Sequence, residues 1–322
     1  ALGPVTRYEV PAIGALNFVL EDVLEGGRSR TLAFEESGKA LSSLMLELDV
    51  AVPDHFSPNR QAQPRADTPH ISTGKVVRLG SATGWSRDRV EPAAALVELG
   101  NIDYLCFDSM SEITMSAAQV AKMRAPETPG YDPFLRPRLE PLLKSCYQRG
   151  IKIVTNQGWL DPDAAARELV QMASAQGLSG LKVAAVSGGI LTDRICDMGL
   201  NFVETGEPVA DSRARIVSAE TYLGAELITG ALADGADIVV TTRVADACCY
   251  LGPLAHELGW DFDDHHAIAR GMIIGHLMEC GCQVSGGYFA DPGYKEVPDL
   301  HNVGNPIVEV SADSAIITKL SD

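Results

Sequence analysis

The sequence predicts an α/β protein in which a mostly parallel, doubly wound sheet follows a small α+β piece. From residue 75 onward, short apolar runs alternate with segments of helical periodicity, which is typical of βαβ units. The apolar runs show no polar alternation, as expected for strands covered by helices on both faces. A closed eight-stranded barrel is the alternative, but the sequence shows too few strands for it.

The first 53 residues predict the small α+β piece. Helical and strand patterns alternate there, over Val10–Leu24, Arg30–Phe34, Gly38–Leu44 and Met45–Val52. Residues 54–74 are rich in Pro and polar residues and have no apolar period, which predicts a linker. Because the chain begins with Ala and ends after a strand-like run, we expect a fragment at both ends, with a main body over residues 75–322 that is incomplete at its C-terminus.

The main body predicts five strands and seven helices, followed by irregular, mixed structure after Gly286. The predicted strands are Val76–Leu79, Tyr104–Phe107, Ile151–Thr155, Leu181–Val186 and Ile238–Thr241. The predicted helices are Val90–Leu99, Ser111–Met123, Leu135–Gln148, Asp161–Ala175, Ala219–Ala233, Ala245–Leu258 and Ala267–Cys280. Asp161 and Pro162 are a typical cap and first-turn pair for the fourth helix.

The overall charge of the chain argues against two classes of binding partner. The 322 residues carry a net charge of −17, which argues against nucleic acid and against anionic membrane surfaces. No apolar run approaches the roughly 20 residues of a membrane span. The seven cysteines, an odd number, indicate reduced thiols in a cytoplasmic protein. We expect a small-molecule ligand, and a homo-oligomer is compatible with the sequence.

Polar residues follow all five predicted strands, at the edge where open α/β sheets bind ligands. Some of them could only cap helices, but five polar strand ends together favour a site. The ligand-binding candidates are Gly80, Ser81, Asn156, Gln157, Ser187, Gly188, Gly189, Thr242, Arg243 and Asp246.

Asp108 and Glu112 are the first two catalytic candidates. If a helix begins between them they share a face, and paired carboxylates can raise one pKa for acid/base work. The alternative is that Asp108 or Ser109 caps the helix and Glu112 lies at its favoured end.

An anionic ligand group has two candidate positions. The turn Ser187-Gly188-Gly189 could present backbone N–H groups, or could be a tight turn that needs positive φ. Arg243 could hold a carboxylate or phosphate bidentately, or order its loop by pairing with Asp246. Neither a dinucleotide fingerprint nor a Walker A sequence is present, so we expect no NAD, no ATP and no other cofactor.

The run His276-x-x-Glu279-Cys280-Gly-Cys282 is one irregular cluster, whereas a zinc site usually has two separated ligand pairs. We therefore expect no metal. His276 and Cys280 would share a helix face, which allows a nucleophilic Cys–His pair or a buried thiol beside a core histidine.

Long runs of the main body resemble the acyclic terpene utilisation (AtuA) family. They begin Lys75-Val76-Val77-Arg78-Leu79-Gly80, Asn101-Ile102-Asp103-Tyr104, Gly150-Ile151-Lys152-Ile153, Ser218-Ala219-Glu220-Thr221, Gly235-Ala236-Asp237-Ile238 and Gly275-His276-Leu277-Met278. Residues 1–53, with Gly14-Ala15-Leu16-Asn17, resemble the small ferredoxin-like domain that usually follows the AtuA domain, although here it precedes it.

The resemblance implies a role in breaking down acyclic terpenes such as citronellol and geraniol, whose intermediates are acyl-CoA thioesters. The resemblance supplies no mechanism. Our first hypothesis is a hydratase or lyase step on an acyl-CoA or related carboxylate, with Asp108 as acid/base and Arg243 or the 187–189 turn holding an anion. The alternatives are a non-catalytic ligand-binding subunit of an acyl-CoA carboxylase-type complex and an inactive truncated fragment.

Overall fold

The computed structural model describes residues 6–9 and 74–320, which belong to one compact unit. The strands are β1 (Thr6–Glu9), β2 (Val77–Thr83), β3 (Tyr104–Phe107), β4 (Lys152–Thr155), β5 (Val183–Ser187), β6 (Ile238–Thr241), β7 (Pro306–Val310) and β8 (Ala315–Lys319). The helices are α1 (Glu91–Leu99), α2 (Glu112–Arg124), α3 (Leu135–Arg149), α4 (Pro162–Ala175), α5 (Glu226–Ala233), α6 (Cys248–Leu258) and α7 (His265–Met278).

The strands form one mixed sheet in the order β1-β5-β6-β4-β3-β2-β7-β8. The pairings among β1 to β6 are parallel, and β7 adds antiparallel to β2, with β8 antiparallel to β7. The predicted α/β class with a mostly parallel sheet is therefore confirmed.

Helices cover both faces of the sheet. Side chains of α1, α3 and α4 pack with Leu105, Ile153 and Val240 on one face. Side chains of α5, α6 and α7 pack with Cys106, Val154 and Val239 on the other. Successive residues of each strand thus point to opposite cores, which is why the strands are apolar throughout.

The neighbouring strands β4 and β6 send the chain to opposite faces, since α4 follows β4 on one side and α6 follows β6 on the other. Adjacent connections that diverge in this way open a crevice beyond the carboxyl ends of the strands. The fold therefore places a ligand site near the ends of β4 and β6.

Most predicted elements occur within a few residues of their expected bounds, and Ser111 and Asp161 cap α2 and α4. Three expectations were wrong. The helix predicted from Ala219 begins only at Glu226, and α7 ends at Met278 instead of Cys280. The irregular C-terminal segment contains β7 and β8.

The predicted elements over 10–53, and the predicted linker apart from Gly74, lie outside the described residues. Thr6–Glu9, however, forms an edge strand of the main sheet beside β5. No helix within residues 74–320 is long and apolar enough to cross a bilayer.

Candidate functional site

The register of the sheet brings four strand ends to one level. Thr83 lies opposite Phe107, Phe107 opposite Thr155, and Thr155 opposite Val240. The residues that follow therefore meet at one edge of the sheet. A cavity of about 210 Å³, here called the strand-end cleft, opens at this edge. It is lined by residues that follow β2, β3 and β6 and by the two residues that follow α7: Gly84, Trp85, Asp108, Ser109, Met110, Ser111, Glu112, Arg243, Asp246, Glu279 and Cys280.

Asp108 is the buried acid of the strand-end cleft, with 7% of its surface exposed. Asn156, which follows β4, donates from Nδ2 to Asp108 Oδ1 at 2.6 Å and accepts from the Ser109 N–H at 2.8 Å. Because a backbone N–H can only donate, the Ser109 bond fixes the orientation of the Asn156 amide. Asp108 is thus held at one oxygen, and its Oδ2 remains for a proton.

Glu279, at the C-terminal end of α7, lines the strand-end cleft together with Asp108. Its carboxylate disfavours a second negative charge nearby and so raises the pKa of Asp108. The Cys280 thiol donates to Glu279 Oε2 at 3.1 Å. Burial and the neighbouring carboxylate favour the protonated form of Asp108.

The pKa of Asp108 agrees with this assignment. This pKa is raised to about 7: burial is the largest cause, the Asn156 hydrogen bond opposes it, the neighbouring Glu279 raises the pKa, and the charge of Arg243 lowers it. A carboxyl with this pKa can donate or accept a proton at neutral pH.

Gly84 fixes the position of the acidic pair. A Cβ at this residue would lie about 2.0 Å from the backbone carbon of Cys280, so only glycine lets the end of β2 touch this turn. Cys280 itself has a left-handed φ of 59°, which turns the chain sharply after Glu279.

Arg243 is buried beside this pair and is extensively bonded. Its guanidinium donates to the Met110 carbonyl at 2.9 Å and pairs with Glu112 at 3.0 Å and Asp246 at 2.8 Å. It also lies over the Tyr222 ring, 4.2 Å from the centroid. Both interpretations made from sequence therefore meet at this residue: it orders its loop through Asp246, and it faces the strand-end cleft.

Glu112 begins α2 and is the exposed partner of Arg243, with a side chain 69% exposed. The Tyr222 hydroxyl donates to Glu112 and, together with Arg243, lowers the pKa of this carboxyl. Tyr222 reaches this position because Leu223 bridges to Val244 in an extended segment, where a helix was expected. Helical periodicity in this segment concealed the role of Tyr222.

A second buried network supports the strand-end cleft and was not predicted. Asp132 accepts from Ser109 Oγ at 3.1 Å, Gln157 Nε2 at 2.9 Å and Arg138 at 3.1 Å. Arg138 also donates to the Ser86 carbonyl at 2.6 Å, which holds the loop that carries Trp85. Burial raises the pKa of Asp132. The pair thus ties together the loops after β2, β3 and β4.

The family comparison agrees with this architecture. The family model for the acyclic terpene utilisation family protein AtuA matches residues 77–322, and the model for the AtuA ferredoxin-like domain matches residues 2–51. The chain belongs to the AtuA family. The predicted resemblance is confirmed, and membership suggests a role in acyclic terpene utilisation. Neither a curated protein nor a solved structure matches the chain.

Several ligand candidates of this AtuA-family chain lie away from the strand-end cleft. Strand β2 continues to Thr83, so Gly80 and Ser81 lie inside it. A Cβ at Gly80 would press on Ile102 at 3.0 Å, and Ser81 accepts from the Tyr250 hydroxyl at 2.8 Å. These two residues were expected beyond the strand because its polar C-terminal half resembles a loop.

The turn after β5 packs against the extended segment before α5. The Gly189 carbonyl accepts from the Thr221 N–H at 2.8 Å, and a Cβ at Gly189 would meet the Thr221 carbonyl at 2.9 Å. Ser187 and Gly188 precede this contact, and Gly188 has the positive φ of a tight turn, 107°. Thr242 is buried above β6, with no hydrogen-bond partner for Oγ1 among the described residues.

The sulfur and imidazole cluster of the AtuA-family chain does not form a helix face. His276 is exposed on α7 and contacts the Met272 carbonyl at 3.0 Å, whereas Cys280 lies beyond the end of the helix. Burial raises the pKa of the Cys280 thiol to about 12, which opposes a thiolate nucleophile. Within residues 74–320, no three His, Cys, Asp or Glu side chains form a group that could hold a metal ion.

Proposed function

We propose that this AtuA-family chain is an enzyme that catalyses a non-redox hydratase or lyase step on an acyl-CoA thioester or related carboxylate. The observation that carries the proposal is that buried Asp108, anchored by Asn156, and half-buried Glu279 line the same cleft at the edge of the sheet. Two carboxyls in different environments are the usual basis for separate acid and base roles.

The pair suits the addition of water across a carbon–carbon double bond conjugated to the thioester. Glu279 takes a proton from water as the water oxygen bonds to the β-carbon, and Asp108 gives its proton to the α-carbon. The proton then passes from Glu279 back to Asp108, which restores the starting state of the pair. The substrate gains one water molecule and its oxidation level is unchanged overall, so the step needs no redox cofactor.

Arg243 is the proposed anchor for an anionic group of the substrate. Its partner Glu112 is largely exposed, so it can move aside and leave the guanidinium to a carboxylate or phosphate. Asp246 and the Met110 carbonyl would keep the arginine in place during this exchange.

The test is turnover of α,β-unsaturated acyl-CoA thioesters by the full chain, with incorporation of oxygen from labelled water read by mass spectrometry. Asp108→Asn and Glu279→Gln should each lower the rate of hydration by about a hundredfold or more. Asp211→Asn, an exposed change outside the strand-end cleft, is the control. An unchanged rate in Asp108→Asn would overturn the acid/base role.

One observation favours the alternative of a non-catalytic subunit in an acyl-CoA carboxylase-type complex. Tyr288, Phe289 and Tyr294 are exposed on an irregular segment that passes close to Cys280, and exposed aromatic residues often mark protein contacts. A stoichiometric partner retained on purification, with no thioester converted by the isolated chain, would favour this alternative.

A further inference from the structure

A long apolar groove lies beside the strand-end cleft, with a volume of about 960 Å³. One wall is the outer side of α1, where Pro92, Ala95, Leu96 and Leu99 follow at helical spacing. Leu99 is 72% exposed, so an apolar side chain in this wall faces solvent. The opposite wall is the segment 300–305.

Polar anchors hold this second wall away from α1. Asn305 donates to the Ser81 and Ala82 carbonyls at 2.9 Å each, Arg89 donates to the His301 carbonyl at 2.7 Å, and Lys319 donates to the Val303 carbonyl at 2.9 Å. These bonds fix segment 300–305 to β2, to the loop before α1 and to β8. Hydrogen bonds therefore define the shape of the groove. Among the described residues, no segment of the protein covers its apolar wall.

The groove adjoins the strand-end cleft through two shared segments. Gly84 lines the cleft and Asp88 lines the groove, and the two are joined by a 2.8 Å hydrogen bond from the Gly84 N–H to Asp88 Oδ2. In the same way Cys280 lines the cleft and Cys282, two residues further, lines the groove. One end of the groove, at Asp88 and Cys282, thus lies next to the side of the strand-end cleft that Gly84 and Cys280 form.

We infer that this groove binds the aliphatic chain of an acyl substrate, an inference that rests on the proposed function for the reacting end. The apolar walls suit an alkyl or methyl-branched chain, and the volume lies in the range of small-molecule sites. Asp88 and Glu91 at the rim outweigh Arg89, so a carboxylate is not favoured inside the groove. The charged end of the ligand belongs at the cleft, beside Arg243.

Chain-length dependence of binding tests the inference. Calorimetry on the full chain with acetyl-, butanoyl-, octanoyl- and methyl-branched decanoyl-CoA should give affinities that rise roughly threefold to fourfold per buried methylene. The free acids, titrated in parallel, distinguish a fatty acid from a thioester as the source of the chain. Affinity independent of chain length for both series would overturn the inference.

Two variants test whether the acyl chain lies in the groove. Leu99→Asp places a charge in the groove, and Ala95→Phe fills it; each should weaken octanoyl-CoA binding about tenfold and leave acetyl-CoA binding unchanged. Met123→Asp, at an apolar residue of α2 that is 63% exposed, is the matched control. Octanoyl-CoA binding of wild-type strength in both groove variants would overturn the inference. A dimer that Leu99→Asp dissociates without weakening octanoyl-CoA binding would also overturn it, because the groove would then join two copies of the chain.

Asp108→Asn separates this inference from the proposed function. The variant should bind octanoyl-CoA as wild type does while losing turnover. If the wild type binds the acyl chain in the groove but turns over no thioester, the proposed reaction is refuted and the groove inference stands. If the wild type turns over thioesters but neither acyl-chain length nor the groove variants affect binding, the groove inference is refuted and the proposed reaction stands.

Discussion

Asn156 donates a 2.6 Å hydrogen bond to Asp108 and accepts a 2.8 Å bond from the next residue's backbone N–H. The amide therefore joins the end of β4 to the end of β3 and holds the buried acid at a defined orientation. Because its hydrogen bond is stronger to the ionised carboxylate than to the neutral acid, it limits the rise in pKa that burial causes.

Replacing Asn156 by Leu should raise the pKa of Asp108 above that of the wild type, because the hydrogen bond that lowers it is lost. The Ser109 N–H would also lose its acceptor, so the free energy of unfolding should fall by about 1–3 kcal/mol. Guanidinium unfolding and the pH dependence of turnover measure the two effects. Asn201→Leu, at an exposed position, is the control, and a lower apparent pKa in Asn156→Leu would contradict the role of the amide.

The free energy of unfolding should depend on pH through the ionisation of Asp108. Its pKa is raised in the folded state, so its contribution to stability is present below about pH 4, is lost as pH rises, and is gone above about 7. The pKa of Asp108 in the folded state exceeds the ordinary aspartate pKa by about three, which corresponds to at most roughly 4 kcal/mol in the free energy of unfolding. Asp108→Asn, which is neutral at every pH, should therefore be more stable than the wild type at pH 8 and should lose this part of the slope. Parallel unfolding curves of the two proteins across this range would contradict the burial of the charge.

The Asp132–Arg138 pair should be costly to break. Arg138→Met leaves a buried carboxylate without its cation, and we expect a loss of about 3–5 kcal/mol in the free energy of unfolding. Arg149→Met, which breaks the exposed pair with Glu98, should cost no more than about 1 kcal/mol. Urea denaturation compares the two variants, and equal losses would show that Arg138 does not hold the strand-end loops together.

Glu112→Gln should free Arg243 for an added anion. Removing the competing carboxylate should tighten the binding of butanoate by about fivefold, measured by calorimetry. Glu98→Gln, an exposed change outside the strand-end cleft, controls for the change in net charge. Unchanged affinity would mean that Arg243 does not receive the substrate's anionic group.

Much of the framework was predictable from the sequence, because five parallel strands left uninterrupted apolar runs. The same runs marked where Asp108, Asn156 and Arg243 follow their strands, and the structure brings these three residues together around the strand-end cleft. Register, which decides which strand ends are level, is a tertiary property and left no mark in the sequence.

The missed features have specific physical causes. Glu279 was assigned to a helix, because the apolar pattern of α7 continues past the point where Cys280 turns to positive φ. Asp132 and Arg138 pair only after folding, and nothing local marks a buried ion pair. A strand-like run at the C-terminal end is recognisable in the sequence, but the antiparallel pairing of β7 and β8 at a sheet edge is a tertiary property that the sequence does not show.

The measurement that tests the acid/base pair most directly is the titration of Asp108 by carbon-13 NMR of labelled aspartate, with Asp108→Asn to assign the resonance. We expect a midpoint at about 7 in the wild type and a lower one in Glu279→Gln, because the neighbouring charge that raises the pKa is removed. A wild-type midpoint near the ordinary aspartate value of about 3.9, unmoved in Glu279→Gln, would show that Asp108 and Glu279 do not act as an acid/base pair.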